Sequence, residues 1–119
     1  MYNVKVEAYF SSAHFLLGYR GKCEELHGHN WKVEVTAQAK KLDKIGMLLD
    51  FKDLKMALNK VLEKLDHKCL NNLAYFKKVN PTSENIAQYI YNNLKPEVTN
   101  LKLITVWESH NCCASYYEA

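Results

Sequence analysis

The chain has no apolar run near the roughly 20 residues that a membrane-spanning helix needs, which excludes a helical membrane protein. Its start, Met-Tyr-Asn-Val-Lys, lacks the basic-then-apolar layout of a secretory signal, so a soluble, cytoplasmic protein is expected. Only 4 glycines and 2 prolines occur in 119 residues, too few for a disordered or fibrous chain. Cysteine is limited to Cys23, Cys69, Cys112 and Cys113, with no C-x-x-C pair of the kind that marks a thiolate zinc site. Without a secreted context these read as free thiols. Cys69, Cys112 and Cys113 are expected to be small buried or half-buried residues, and Cys23 alone has neighbours that suggest chemistry. A strong excess of one charge is also missing: 16 basic residues are scattered among 13 acidic ones, for a net charge of +3. Nucleic-acid binding is therefore not expected, whereas a small anionic substrate is compatible.

What is present is the material of a globular domain, since 48% hydrophobic residues in 119 suffice for one core and not for two. A single domain over 1–119 follows, with no internal repeat, linker or low-complexity stretch. From Tyr2 to His14, Val4, Val6, Ala8 and Phe10 alternate with Asn3, Lys5, Glu7 and Tyr9, the period-two pattern of a strand with one wet face. Residues 15–28 read as a loop. A second alternation, Trp31, Val33, Val35, Ala37 and Ala39 against Lys32, Glu34, Thr36 and Gln38, gives a strand entered through His29.

Asp50 is placed to cap a helix whose stripe Phe51, Leu54, Leu58, Val61, Leu62 and Leu65 recurs at steps of three and four, ending near Asp66-His67. Thr82 caps a second helix with Ile86, Ala87, Ile90, Tyr91 and Leu94 inside. Lys95-Pro96 stops it, because the residue before proline disfavours the helical region. Residues 101–108 and 112–117 are two more strands around Ser109-His110-Asn111. The order ββααββ predicts an α+β fold, a four-stranded antiparallel sheet with both helices on one face. Its open edges call for cover or pairing, so self-association is expected.

The stretch Cys23-Glu-Glu-Leu-His27-Gly28-His29 concentrates the chemistry. In an extended backbone His27 and His29 project from one face, with Cα atoms about 6.6 Å apart. If the first two strands pair antiparallel, the end of one lies beside the start of the other and His14 joins them. Three imidazoles are a full protein ligand set for a catalytic zinc, which keeps its fourth position for water or substrate. A structural zinc in a non-catalytic binding module is the other use of such a set, but structural sites are normally closed by four protein ligands. Cys23 and the pair Asp66-His67 complete a set for proton transfer beside a polarised C–O or C=O group. Asp66 and His67 equally suit a helix end, where histidine favours the dipole. Glu108, an acid in the apolar strand Val106-Trp107-Glu108, can accept two parallel hydrogen bonds from an amino-pyrimidinone edge, or stand as a solvated acid at a strand end.

Together His14, Cys23-x-x-x-His27-Gly28-His29, Leu65-Asp66-His67, Pro81-Thr82-Ser83-Glu84-Asn85 and Glu108-Ser109 resemble the 6-pyruvoyltetrahydropterin synthase and 6-carboxytetrahydropterin synthase family, over nearly the whole chain and in matching order. The resemblance implies the tunnelling fold (T-fold), with zinc on His14, His27 and His29. It further implies a proton-transfer set of Cys23, Asp66 and His67, a pterin ring anchored by Glu108, and Thr82 and Glu84 in the segment that lines the pocket. It also implies homohexamers made of two trimers, each trimer closing a twelve-stranded barrel, with active sites between subunits. Three residues separate Cys23 from His27, similar to the bacterial carboxy enzymes of the queuosine pathway, whereas the animal pyruvoyl enzymes have a longer spacer. The expected activity is conversion of 7,8-dihydroneopterin triphosphate to 6-carboxy-5,6,7,8-tetrahydropterin, with the pyruvoyl reaction as the alternative.

Overall fold

The computed structural model describes residues 1–18 and 25–119. The two alternating stretches form a long hairpin, β1 (Tyr2–His14) and β2 (His27–Ala39). Their antiparallel register runs unbroken from Tyr2 opposite Ala39 to His14 opposite His27. Val6 faces Val35, Ala8 faces Val33 and Phe10 faces Trp31, and all six are buried. A slip of one residue would turn that whole set to water, so the apolar alternation fixes the register. The same register therefore fixes the histidines at the end of the hairpin.

Beyond the hairpin, α1 (Phe51–Leu62) starts at Asp50, whose carboxylate accepts the Lys52 N–H at 2.8 Å. The second helix, α2 (Ser83–Leu94), starts at Thr82, whose hydroxyl accepts the Asn85 N–H at 3.1 Å. Such caps satisfy amides that the first turn leaves without partners and contribute about 1 kcal/mol each. Leu58 on α1 and Ile90 on α2 are fully buried in one core shared with the hairpin and with β4 (Leu101–Ser109). Truncating either to alanine should cost about 2–5 kcal/mol. The last strand, β5 (Cys112–Tyr116), pairs antiparallel with β4.

Among the described residues the sheet has five strands where four were expected. A two-residue strand, β3 (Lys68–Cys69), pairs parallel with Ser12 and Ala13 of β1, and the order is β3-β1-β2-β4-β5. Two residues are too short to show a period, which is why the alternation does not reveal them. The α+β class stands, with a mixed sheet. The first helix also ends at Leu62, short of Leu65, which sits in the following turns yet is fully buried. Burial continued the apolar stripe past the last helical turn. Cys69 is half-buried, but Cys112 and Cys113 are exposed on the outermost strand, against the expectation of burial; all three are free thiols.

On the other face of the sheet Glu34 accepts a hydrogen bond from the Trp107 indole and pairs with Lys5 at 2.9 Å and Lys32 at 3.8 Å. Burial alone pushes its carboxyl up, but the bonds from Lys5 and Trp107 outweigh that and hold it below the usual range. Among the described residues no helix is long and apolar enough to cross a membrane.

Candidate metal centre

His14 ends β1, and His27 and His29 open β2, so the hairpin register brings all three imidazoles to one end of the sheet. Their ring centroids lie 4.6, 4.8 and 5.4 Å apart. Trp31 forms the floor beneath them, edge-on to His14 at 4.9 Å and to His29 at 5.2 Å. The backbone sets the tautomers. Nδ1 of His14 lies 2.8 Å from the carbonyl of Pro81, and Nδ1 of His27 lies 2.7 Å from the carbonyl of Glu25. A carbonyl only accepts, so both Nδ1 atoms carry a proton, and each ring in its neutral form keeps its lone pair at Nε2.

Those two lone pairs face each other at 3.1 Å. Between two neutral rings that approach is repulsive, and a shared proton or a metal ion turns it into attraction. His29 adds a third nitrogen, its Nε2 buried and, among the described residues, without an aligned hydrogen bond although a carboxylate oxygen of Glu108 stands 3.0 Å away. The contact satisfies a distance but not a direction. Burial lowers the pKa of His14, opposed by its bond to Pro81 and by Glu108; burial also lowers that of His29. Both rings are thereby favoured in the neutral form that a metal requires. The donor set fits a metal ion.

Glu108 is the fourth member of this group, with one donor atom from each of the four residues lying within 4.8 Å of the others. A bulge aims it there. Trp107 lies opposite Cys113 and Ser109 opposite Cys112, so β4 advances two residues while β5 advances one, and Glu108 has no partner on β5. Its second carboxylate oxygen lies 3.4 Å from the Ser83 hydroxyl. Of the segment 81–85, then, it is Pro81 and Ser83 that touch the cluster. Thr82 caps α2, and Glu84 is exposed.

Asp66 and His67 do face each other, with His67 Nδ1 2.9 Å from the Asp66 carboxylate. They are clamped to β1 from two sides: the Ser11 N–H donates to Asp66 at 2.8 Å, and the His67 N–H donates to the Ser11 carbonyl at 2.6 Å. The hydrogen bond from Ser11 leads the effects that hold the Asp66 carboxyl below its usual range. His67 takes a left-handed backbone conformation, φ 56°, which costs of order 1 kcal/mol outside glycine and asparagine. The pair is absent from the four-residue group, and the His67 side chain is 82% exposed. His29 and His67 do share the lining of an open depression of about 470 Å³, into which Gly28 presents no side chain. The larger cavity, about 690 Å³ beside α1, contains neither histidine nor cysteine. Cys23 lies outside the described residues.

Residues 3–119 match the family described as 6-pyruvoyl tetrahydropterin synthase. The chain belongs to that family. Among relatives of the pterin synthase family, the 6-carboxy-5,6,7,8-tetrahydropterin synthase of Haemophilus influenzae is 32% identical, with 99% of this chain and 100% of that protein covered. The enzyme of the same name from Rickettsia felis is 33% identical, covering 87% and 91%. A solved structure, the 6-pyruvoyl tetrahydropterin synthase of Caenorhabditis elegans, superposes with a TM-score of 0.89 at 29% identity, covering 99% of this chain and 96% of that one. The two helices on a five-stranded mixed sheet are thus the T-fold of this pterin synthase family.

Proposed function

We propose that this protein is a zinc-dependent 6-carboxy-5,6,7,8-tetrahydropterin synthase, converting 7,8-dihydroneopterin triphosphate to 6-carboxytetrahydropterin, acetaldehyde and triphosphate within queuosine and 7-deazaguanine formation. The observation that carries the metal is the pair of tautomer-fixed imidazoles whose Nε2 atoms face each other at 3.1 Å. The carboxy branch is supported by the names of relatives matched over most of their length and by the three-residue spacer between Cys23 and His27.

His14, His27 and His29 would hold the ion, which when bound supplies Lewis-acid polarisation of the substrate's side-chain oxygens. Glu108 accepts two hydrogen bonds from the amino-pyrimidinone edge and so orients the ring. His67 exchanges protons at Nε2 while its Nδ1–H stays donated to Asp66, which holds the productive tautomer and steadies the imidazolium. Cys23 is the second proton carrier and works as thiolate. An imidazole as open as that of His67 needs cover to exclude water. A homohexamer with active sites between subunits would provide it and would pair the sheet edges, in a cytoplasmic enzyme with a small-molecule partner. Thr82 and Glu84 remain candidates for the substrate side of the pocket, Glu84 by its exposure.

The pyruvoyl reaction, triphosphate elimination without side-chain cleavage, is the second reading, favoured by the likeness to the Caenorhabditis elegans structure. Incubating the zinc-loaded protein with dihydroneopterin triphosphate decides between them. One acetaldehyde per triphosphate is expected; triphosphate without acetaldehyde would replace the carboxy reading by the pyruvoyl one.

A further inference from the structure

The first strand ends at His14, and beyond it two asparagine side chains carry on the pairing. β3 pairs parallel with Ser12 and Ala13, Cys69 standing opposite Ala13. Two residues further along both chains, Asn71 accepts the Phe15 N–H at Oδ1 and donates Nδ2–H to the Phe15 carbonyl, both at 2.9 Å. Asn80 does the same to Leu17, at 2.9 Å from the N–H and 2.8 Å from the carbonyl. A carboxamide holds an acceptor and two donors in one plane, so it satisfies both backbone groups of a residue as a neighbouring strand would. We propose that Asn80, seconded by Asn71, is a positioning residue of the metal site: it fixes the course of residues 14–17 so that the His14 ring keeps its direction in the ligand set. This rests on the reading that His14, His27 and His29 hold zinc.

The path from Asn80 to His14 is short. The carbonyl of Pro81, the next residue, holds Nδ1 of His14 at 2.8 Å. One dipeptide therefore grips the His14 ring with its second residue and the Leu17 backbone with its first. The dipeptide is itself braced, because the Asn80 carbonyl accepts the Thr82 N–H and the Asn85 side-chain amide, both at 2.9 Å. Asn85 stands in the first turn of α2, beside Ile86 and Ala87, which are fully buried in the core. Core, helix start, Asn80-Pro81 and His14 are thus joined by consecutive contacts.

The strand register alone does not do this work. Pairing opposite His27 sets where the His14 backbone lies, but the imidazole still has a broad second torsion, and the Pro81 carbonyl gives it a direction. Side-chain burial does not hold the far end of the segment, since Leu17 is 68% exposed. The Asn80 amide holds it instead. Without that amide the Leu17 N–H and carbonyl turn to water, and the dipeptide that orients His14 loses one of its ties. Groups that orient a metal-binding histidine from behind change metal affinity by about 10- to 100-fold when removed.

Zinc affinity by chelator competition tests this without turnover, in the parent, Asn80→Ala, Asn80→Leu and Val61→Ala, with circular dichroism as the check on folding. Leucine is close to asparagine in shape and makes neither bond, so it carries the test where alanine fails to fold. Val61 is buried on α1, and its truncation lowers stability without touching either clamp. The Asn80 variants are expected to hold zinc about tenfold or more weakly than the parent, whereas Val61→Ala holds it as tightly as the parent while unfolding at lower urea. A folded Asn80 variant with the parent's zinc affinity overturns the proposal and leaves the proposed function standing. An equal weakening in Val61→Ala also overturns it, since the effect would then be one of general stability. A folded parent that takes up no zinc removes both.

Discussion

Replacing Trp31 by phenylalanine tests whether the floor of the histidine cluster is also a support of the fold. The indole is fully buried, stacks on Phe10 with centroids 5.8 Å apart and planes 4° from parallel, and donates Nε1–H to the Ser12 carbonyl at 3.2 Å. Phenylalanine loses that hydrogen bond, about 0.5–1.5 kcal/mol. It also gives up roughly 50 Å² of buried ring, about 1.2 kcal/mol at 25 cal/mol per Å². A loss of about 2–3 kcal/mol is expected in urea unfolding of the metal-free protein at fixed protein concentration. The two imidazoles that rest edge-on against the indole lose a wall at the same time. Zinc at a hundred times its dissociation constant stabilises the parent by about 2.7 kcal/mol, and at the same zinc concentration the variant should gain less. A stability loss under about 0.5 kcal/mol, the scale of an ordinary surface change, or an equal gain from zinc, would refute this reasoning.

The other expectations concern the metal, the proton carriers and pH. His27→Ala should lose most of its zinc by elemental analysis, and unchanged zinc content would remove His27 from the ligand set. Cys23→Ala should keep its zinc and lose turnover by about a hundredfold or more; Asp66→Asn should likewise keep zinc and lower kcat by about tenfold or more, with KM little changed, since it acts through His67. Loss of zinc in either would contradict a proton-transfer role. In the metal-free protein the lowered pKa values of His14 and His29 mean that the unfolded chain binds more protons, so their stabilising contribution is full above about pH 6.5 and is lost as pH falls through their folded values. The urea midpoint should fall between pH 7 and 5, a window above the range in which Glu34 and Asp66 titrate. A midpoint that stays level or rises there would mean that burial does not hold these rings neutral.

The histidine convergence was legible because two simple rules suffice for it. Alternation assigns each residue of β1 and β2 to a face, and antiparallel pairing puts the end of one beside the start of the other. The caps at Asp50 and Thr82 were legible because their chemistry is local. Glu108 reached the cluster by a route that no local pattern carries: it needs β4 to lie next to β2 and a bulge to leave Glu108 unpaired on β5, and neither strand order nor bulge has a period. Pro81 and Ser83 were missed for a related reason. One acts through its carbonyl, which every residue possesses, and the other through a hydroxyl whose partner is 25 residues away. The α1 boundary was misplaced because Leu65 is as buried as a helical core residue while lying in a turn.

X-ray absorption at the zinc edge of the reconstituted protein tests whether the three imidazoles brought together by one hairpin hold a metal ion. One zinc per chain is expected, with a first shell of nitrogen and oxygen only, at about 2.0–2.2 Å, and the outer scattering of three imidazole rings. A sulfur neighbour at about 2.3 Å, or fewer than three imidazoles, would contradict it.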